Sequence, residues 1–172
     1  MRRRHLRGVV AVEEVSNPTP WSAELFANDL RLTSSHSVVA VTSPATVVGF
    51  GCVSSTGFEA HVTNLGVDPS RRGTGIGAAL LVALLDRVEQ WGHDDITLEV
   101  RSDNTVAIAL YERFGFVAEG VRPGYYSPTD GTGRRHDAVI MWARGGVAGR
   151  IASHPVTTRR PGYGGPSSTA HS

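Results

Sequence analysis

The sequence predicts an α/β domain over residues 1–144 and a tail without a core over 145–172. Three observations carry that expectation. Short β-rich apolar runs alternate with segments of helical period, the arrangement expected of interleaved strands and helices. One strand-to-helix join, residues 65–78, reads L-G-V-D-P-S-R-R-G-T-G-I-G-A and carries glycines at three alternate positions, Gly73, Gly75 and Gly77. From Gly145 onward the composition shifts to Gly, Pro and Ser with no apolar period, too little to offset the entropy of ordering, so that stretch is expected to be disordered.

The elements follow in order. Residues 5–15 have one apolar face and read as a helix, and Pro18 and Pro20 punctuate the loop after it. Residues 22–32 read as a second helix, with Leu25, Phe26, Leu30 and Leu32 near one side. Residues 37–41 and 46–53 are β-rich runs joined by Ser-Pro-Ala, which predicts a hairpin. The next strand spans 61–67. Ile76, Leu80, Leu84, Val88 and Trp91 then lie at helical spacing over 76–91. A strand follows over 96–100. Asp103 or Asn104 can cap the next helix, which Gly115 ends. Residues 116–121 and 138–142 read as a final strand pair, joined by a polar, glycine-rich connection over 127–136.

Composition excludes several classes. At 172 residues the chain suits one domain with a real core, and 40% hydrophobic with 19% charged residues is ordinary for a soluble globular protein. No apolar run approaches the roughly 20 residues that span a bilayer, so no membrane partner is expected. The opening M-R-R-R-H-L-R-G is basic but lacks the apolar run of a secretory signal. Cys52 is the single cysteine, which rules out an intrachain disulfide and suits a reducing cytoplasm. A net charge of +1 gives no reason to expect a nucleic-acid partner, and the seven histidines show no metal-ligand spacing. The chain contains no lysine, so it cannot be acylated on one.

The glycine-rich join carries the chemistry. Strand, turn and helix N-terminus together make an anion cradle, because glycine lets backbone N–H groups point inward and the positive end of a helix favours phosphate. No Lys-Ser/Thr follows, so the segment is not a P-loop. A ligand-free tight turn and a dinucleotide-binding turn are the other readings. Asp94, Asp95 and Glu99 lie near the spacing that the dinucleotide fold needs, although the mid-chain position does not suit it.

R-R-G-T-G-I-G-A resembles the acyl-coenzyme A motif of the GNAT acetyltransferase superfamily. L-E-V-R-S-D-N-T-V-A-I-A-L-Y-E-R-F-G-F over 98–116 resembles that superfamily's next strand and helix. Pro20-Trp21-Ser22, Gly124-Tyr125-Tyr126 and D-A-V-I-M over 137–141 narrow the likeness to the RimI branch, the ribosomal-protein-alanine N-acetyltransferases. The resemblance covers about residues 5–144. It implies a mixed, mostly antiparallel sheet flanked by helices. It also implies two adjacent parallel strands, 61–67 and 96–100, that diverge to admit acetyl-CoA. One departure is expected: the strand that usually opens the fold is missing, since helical periodicity begins almost at Met1. A second is the added-looking G-T-G-R-R-H over 131–136, which includes Arg134 and Arg135.

Further implications attach to named positions. Backbone groups of Leu65, Gly66 and Val67 would meet the pantetheine and acetyl carbonyl; Arg72, Gly73, Thr74, Gly75, Ile76, Gly77 and Ala78 would hold the pyrophosphate; Asn104 matches a coenzyme contact. Glu99 matches the family's proton acceptor. Periodicity alone makes it a solvated or ion-paired strand carboxylate, facing away from Ile96, Leu98 and Val100. Tyr111 matches the proton donor; periodicity alone makes it a core aromatic. Trp21, Tyr125 and Tyr126 would flank the acceptor. Cys52 reads as a small core residue rather than an acyl-carrying nucleophile. The function implied is acetyl transfer to a protein N-terminal amine, with the N-terminal alanine of a small-subunit ribosomal protein as acceptor. The other readings are transfer to a small amine or another peptide, and a non-catalytic acyl-CoA sensor.

Overall fold

The computed structural model describes residues 1–43, 46–128 and 135–146. A 3-10 turn at Arg3–His5 leads into α1 (Leu6–Ser16) and α2 (Ala23–Asp29). Then come β1 (Ser35–Ser43), β2 (Thr46–Ser55), β3 (Ala60–Val67), a 3-10 turn at Pro69–Arg71, and α3 (Ile76–Gln90). The chain continues through β4 (Ile96–Arg101), α4 (Thr105–Arg113), β5 (Val117–Tyr126) and β6 (His136–Ala143). Six strands form one sheet in the order β1-β2-β3-β4-β6-β5. No strand precedes α1 among the described residues, as the sequence led us to expect. The expected disordered stretch lies outside the described residues from position 147 onward, as do the Pro44–Ala45 corner of the first hairpin and Arg134.

Every neighbouring pair of strands is antiparallel except β3 and β4. Those two run parallel for three residue pairs, Ala60↔Ile96, His61↔Thr97 and Val62↔Leu98, and then part. The parting coincides with a bulge on β3. Cys52 faces Asn64 while the next residue, Val53, faces Val62, so Thr63 is the extra residue. A bulge bends its strand and adds twist, which swings the remainder of β3 away from β4. Parallel β3-α3-β4 is a βαβ unit, but the antiparallel rest of the sheet excludes the doubly wound dinucleotide fold.

Both faces of the sheet are covered. On one, α3 lays Leu81, Leu84, Leu85 and Val88 against Val53, Val62, Ile96 and Leu98, with Phe114 and Phe116 closing the cluster from the α4 end. On the other, Val9 and Val12 of α1 and Phe26 of α2 pack on Phe50 and Cys52. Glycines set the closeness of these layers. A Cβ at Gly51 would lie 3.0 Å from Leu84, and one at Gly66 would sit 2.6 Å from the Phe50 ring and 2.9 Å from Ser16 Oγ.

Two expectations need correction. The second helix is shorter than 22–32, and Leu25 and Leu32 are 52% and 56% exposed. Leu25 and Phe26 are adjacent and cannot share one helical face; only Phe26 is buried in this helix's apolar set, and Asp29 takes the other inward place, accepting from Ser37 Oγ at 2.7 Å. The fifth strand runs past Val121 to Tyr126, because irregularities at Gly120 and beyond Arg122 keep it paired with β6 across Pro123. Arg135, in the added-looking segment, is held against the end of β5: its Nε donates to Gly124 O, and its Nη2 donates to Tyr125 O at 3.0 Å.

Cys52 is fully buried, and burial pushes its thiol up to about 12, opposed by its hydrogen bond with Ser37. A buried, protonated thiol does not serve as an acyl-carrying nucleophile. Iodoacetamide at pH 8 should therefore leave the folded protein unlabelled by intact-mass measurement and label it stoichiometrically in denaturant. Rapid labelling of the native protein would contradict the assigned burial.

Candidate active site

The divergence of β3 from β4 opens a cleft of about 390 Å³ through the sheet. Its wall on the α1 side comes from Ser16, Asn17, Pro18, Thr19 and Trp21, and on the α4 side from Asn104, Ala107 and Tyr111. Between them stand His61 to Leu65 of β3, Glu99 to Arg101 of β4, and Tyr125 and Tyr126 of β5. Because the ladder with β4 ends at Val62, the β4-facing edge from Thr63 to Val67 has no strand partner among the described residues. Such an edge can bond an extended amide chain as an added strand would.

At the C-terminal end of β3 the glycine-rich turn supplies a second set of donors. Asp68 accepts from Ser70 N at 2.8 Å and closes the short turn that places Arg71 and Arg72. Gly73 and Gly75 have φ of +74° and +87°, a left-handed backbone that favours glycine. Nothing lies within 4 Å of a Cβ at either, so their conformation rather than their packing demands glycine. Gly75 is the N-cap of α3 and lacks a side-chain cap, so the helix's first N–H groups are left for an anion. Gly77 differs: it is helical, and its Cβ would meet Leu110 of α4 at 3.3 Å. It serves the approach of α4 to α3 as well as the turn. Arg72 folds back, with Nε 3.4 Å from Val67 O, and Thr74 Oγ1 donates to Arg71 O at 2.6 Å.

Glu99 lies on the polar side of β4, but that side is not open water. Thr97, two residues before it, is 6% exposed and donates from Oγ1 to Met141 O at 3.2 Å, while the Glu99 side chain is 18% exposed. Of the two periodicity readings, solvated or ion-paired, the solvated one does not hold, because residues after α1 and the β5 tyrosines line the same cleft. Glu99 Oε1 sits 3.0 Å from Arg122 Nη1, so the carboxylate is ion-paired, as one of its two readings anticipated. The same guanidinium lies 4.9 Å from the Tyr125 ring centroid, and Tyr125 packs edge-on to Tyr126 at 5.0 Å. Burial, then the nearby Glu99 charge, pushes the Tyr126 phenol up to about 12.

Tyr111 is both a core aromatic and a cleft residue. Its ring tilts against Phe116 at 5.8 Å, and it lines the cleft from the α4 side. Burial pushes its phenol well above the ordinary value, so it stays protonated at all working pH. Asn104 caps α4 by accepting from Ala107 N at 3.2 Å and also faces the cleft, so its two sequence readings coexist. Trp21 likewise does both: its indole packs 5.3 Å from Phe26 and it lines the mouth.

Four residues of this region were not singled out from the sequence. His61 stands on the same sheet face as Glu99, since it pairs with Thr97 two positions earlier; burial holds its imidazole below the usual value against the pull of Glu99 and Glu59, so it is neutral near pH 7. Arg122 gave no signal. Asn64 and Glu13 meet through a 2.9 Å hydrogen bond between β3 and α1. Glu13 did leave a signal: it falls with Val9 and Val12 at helical spacing, on the inward stripe. Among the described residues no group of three or more His, Cys, Asp and Glu could hold a metal ion, and no helix is long and apolar enough to cross a membrane.

Comparison with known proteins agrees with this geometry. The pattern of the Acetyltransferase (GNAT) family matches residues 6–116. The [Ribosomal protein bS18]-alanine N-acetyltransferase of Escherichia coli K12 is 36% identical over 130 residues, which are 76% of this chain and 84% of that protein. The N-alpha-acetyltransferase RimI of Mycobacterium tuberculosis is 40% identical over 111 residues, 62% of this chain and 68% of that one. The crystal structure of the ribosomal-protein-S18-alanine N-acetyltransferase from Escherichia coli superposes with a TM-score of 0.75 at 32% identity, over 85% of this chain and 91% of that one.

Gly75→Val should lower acetyl-CoA affinity at least tenfold while the protein stays folded, since a β-branched residue at φ +87° must rotate the turn that aims the helix N–H groups. The strain itself should cost about 1–3 kcal/mol of stability. Titration calorimetry and a melting curve measure both. Unchanged affinity in a folded variant would mean that the glycine serves only the turn.

Proposed function

The chain belongs to the GNAT acetyltransferase family and is an N-acetyltransferase, and from that premise we propose that it transfers acetyl from acetyl-CoA to the N-terminal alanine of the small-subunit ribosomal protein bS18. The observation that carries this reading is the match to bS18-alanine N-acetyltransferases across 84% of the Escherichia coli protein's length. Acetyl-CoA fits the chain's own residues: the unpaired edge from Thr63 to Val67 suits an extended pantetheine, and the uncapped α3 N-terminus suits a pyrophosphate.

In this assignment the acceptor enters from the α1 side, past Trp21, Tyr125 and Tyr126, and the coenzyme from the α4 side. An α-ammonium has a pKa of about 8, so roughly a tenth is free amine at pH 7, and a modest base suffices. Glu99 takes the proton, directly or through one water, with Arg122 fixing the carboxylate. The amine nitrogen then attacks the thioester carbonyl; a C–N bond forms and the C–S bond breaks. Tyr111 donates its phenolic proton to the departing thiolate, and the acylated nitrogen sheds its second proton to solvent as the amide forms. Of the two protons lost by the ammonium, one restores Tyr111 through solvent and the other is released. Backbone N–H groups on the free edge of β3 stabilise the carbonyl oxygen as charge develops. The products are an acetylated N-terminus and free coenzyme A.

Glu99→Gln should lower turnover about 10²-fold or more with acetyl-CoA affinity barely changed. The defect should shrink above the amine's pKa, where the acceptor deprotonates unaided; a pH-independent defect would assign Glu99 to positioning. Tyr111→Phe should slow transfer without unfolding the protein. Normal turnover per folded molecule, with a depressed melting temperature, would return Tyr111 to a packing role alone.

The acceptor class is tested by competition. A peptide with a free N-terminal alanine should be acetylated in preference to one with a blocked N-terminus and an internal lysine, whose ammonium at about 10.4 offers far less free amine. Mass spectrometry of the mixture reads the outcome. Preference for the lysine peptide, or for a free polyamine, would overturn the acceptor class and leave the acetyl-CoA assignment standing.

A further inference from the structure

We propose that Glu13 is the positioning residue of the acceptor end of the cleft: its buried carboxylate ties the loop after α1 to β3 and so sets which first residue the cleft admits. The inference rests on the proposed function for the identity of the acceptor, and on the structure alone for the tie.

Glu13 is fully buried, an uncommon place for a carboxylate. It has no ion-pair partner among the described residues. One oxygen, Oε1, accepts three hydrogen bonds: from Asn17 Nδ2 at 3.1 Å, Trp21 N at 3.0 Å and Asn64 Nδ2 at 2.9 Å. The other, Oε2, is buried without a partner. The donors come from three places, the exit of α1, the approach to α2, and β3 just past its bulge. All three donor residues line the cleft.

A leucine would fill this inward position of α1 at no cost in desolvation, so packing does not account for the carboxylate. What the carboxylate does is gather three donors from separate segments onto one oxygen. The Asn17–Trp21 stretch has two prolines and no regular hydrogen bonding of its own, and Trp21 N has its bond to Glu13. The indole is held separately, through the Trp21–Phe26–Phe50 stack, with 5.3 Å between successive ring centroids. Phe50 in turn bears on the glycine at position 66 of β3. The lip is therefore pinned to β3 twice, by an apolar stack and by Glu13. Loss of the polar pin frees the backbone of the lip and lets Trp21 pivot on the stack. The uneven use of the two oxygens adds a second requirement. An acceptor atom is needed at Oε1, whereas the charge is not, and a glutamine meets that requirement with its own carbonyl.

The test compares Glu13→Ala and Glu13→Gln by steady-state kinetics on two peptides that differ only in beginning with alanine or leucine, with acetyl-CoA affinity measured alongside. Glu13→Ala should raise KM for the alanine peptide about tenfold and shrink the alanine-over-leucine preference severalfold, because a small misplacement of a positioning loop costs that much. Acetyl-CoA affinity should change less than about twofold, since the β3 backbone that would meet it is held by its ladder with β2 rather than by Glu13, and Glu13→Gln should stay within about twofold of the parent throughout. Should Glu13→Ala not fold, Asn64→Ala, which removes one of the three donors, should give the same shift in smaller measure. Unchanged KM and preference in Glu13→Ala, or in a folded Asn64→Ala where it takes that place, overturns the inference. An equal loss in Glu13→Gln overturns it too, because it would mean that charge and not the tie is used. If the parent acetylates neither peptide, the proposed acceptor fails, and amide hydrogen exchange at residues 17–22 decides the tie by itself. Protection there should be kept in Glu13→Gln and lost in Glu13→Ala; equal protection in both would refute it.

Discussion

The short parallel pairing between β3 and β4 is the constraint on which the rest of the structure depends. Three residue pairs hold the strands together, and the Thr63 bulge then sends them apart. A continuous ladder would satisfy every backbone group and leave no way through the sheet. An open edge inside a buried sheet is costly, since unpaired peptide groups lose water without gaining a partner. The edge from Thr63 to Val67 is tolerated because the cleft keeps it reachable by solvent and by a ligand of the right shape. That places the unsatisfied groups where a thioester with an amide-bearing arm can use them, and it gives the α4 side access to the α1 side.

Covering both faces of the sheet gives the cleft its character. A sheet packed on one face would leave Thr97 and Glu99 in water, where a carboxylate is an ordinary surface group. Here α1, its loop and the β5 tyrosines enclose that face, and several of its polar groups are tied to one another. Thr97 bonds a β6 carbonyl, Glu99 bonds Arg122, Asn64 bonds Glu13, and Arg122 stacks on Tyr125. Enclosure strengthens these contacts and narrows their freedom, which is the condition for orienting a reacting amine. The left-handed glycines at the start of α3 would do the corresponding work on the other side, where the proposal has backbone donors rather than side chains meet the coenzyme.

How much of this was legible in the sequence differs by element. The strand-turn-helix join was legible because its cause is local: alternate glycines stand directly ahead of an amphipathic helix. The α3 stripe was legible for the same reason, and Leu80, Leu84 and Val88 are buried where periodicity put them. The second helix was misread because Leu25 and Leu32 are apolar without being inward, and hydrophobicity alone does not say which side of a short helix meets the sheet. The length of β5 was missed because the expected strand stopped at Val121, short of Pro123, whereas irregular pairing with β6 carries it on to Tyr126. The Glu99–Arg122 pair joins residues on strands separated by β6, and no local pattern announces such a contact. The parting of β3 and β4 came through family likeness rather than through any periodicity, since a bulge at Thr63 looks like ordinary strand sequence.

The two candidate proton-transfer groups stand on opposite sides of the parting strands. Glu99 belongs to the face covered by α1, and Tyr111 to the core between the sheet, α3 and α4. A carboxylate and a phenol placed side by side would share one proton and neutralise the polarity that transfer requires. Separated by the gap, the first would meet only the incoming ammonium and the second only the departing sulfur of the proposed reaction. Burial supports that division. Tyr111 is kept protonated by the apolar cluster around it, while the Arg122 guanidinium sits against Glu99, and neither arrangement could be moved to the other face without losing its cause. In the proposed mechanism the sheet would thus give direction to the reaction: amine from the α1 side, thioester from the α4 side, with the acyl carbon meeting the nitrogen only where β3 and β4 have come apart.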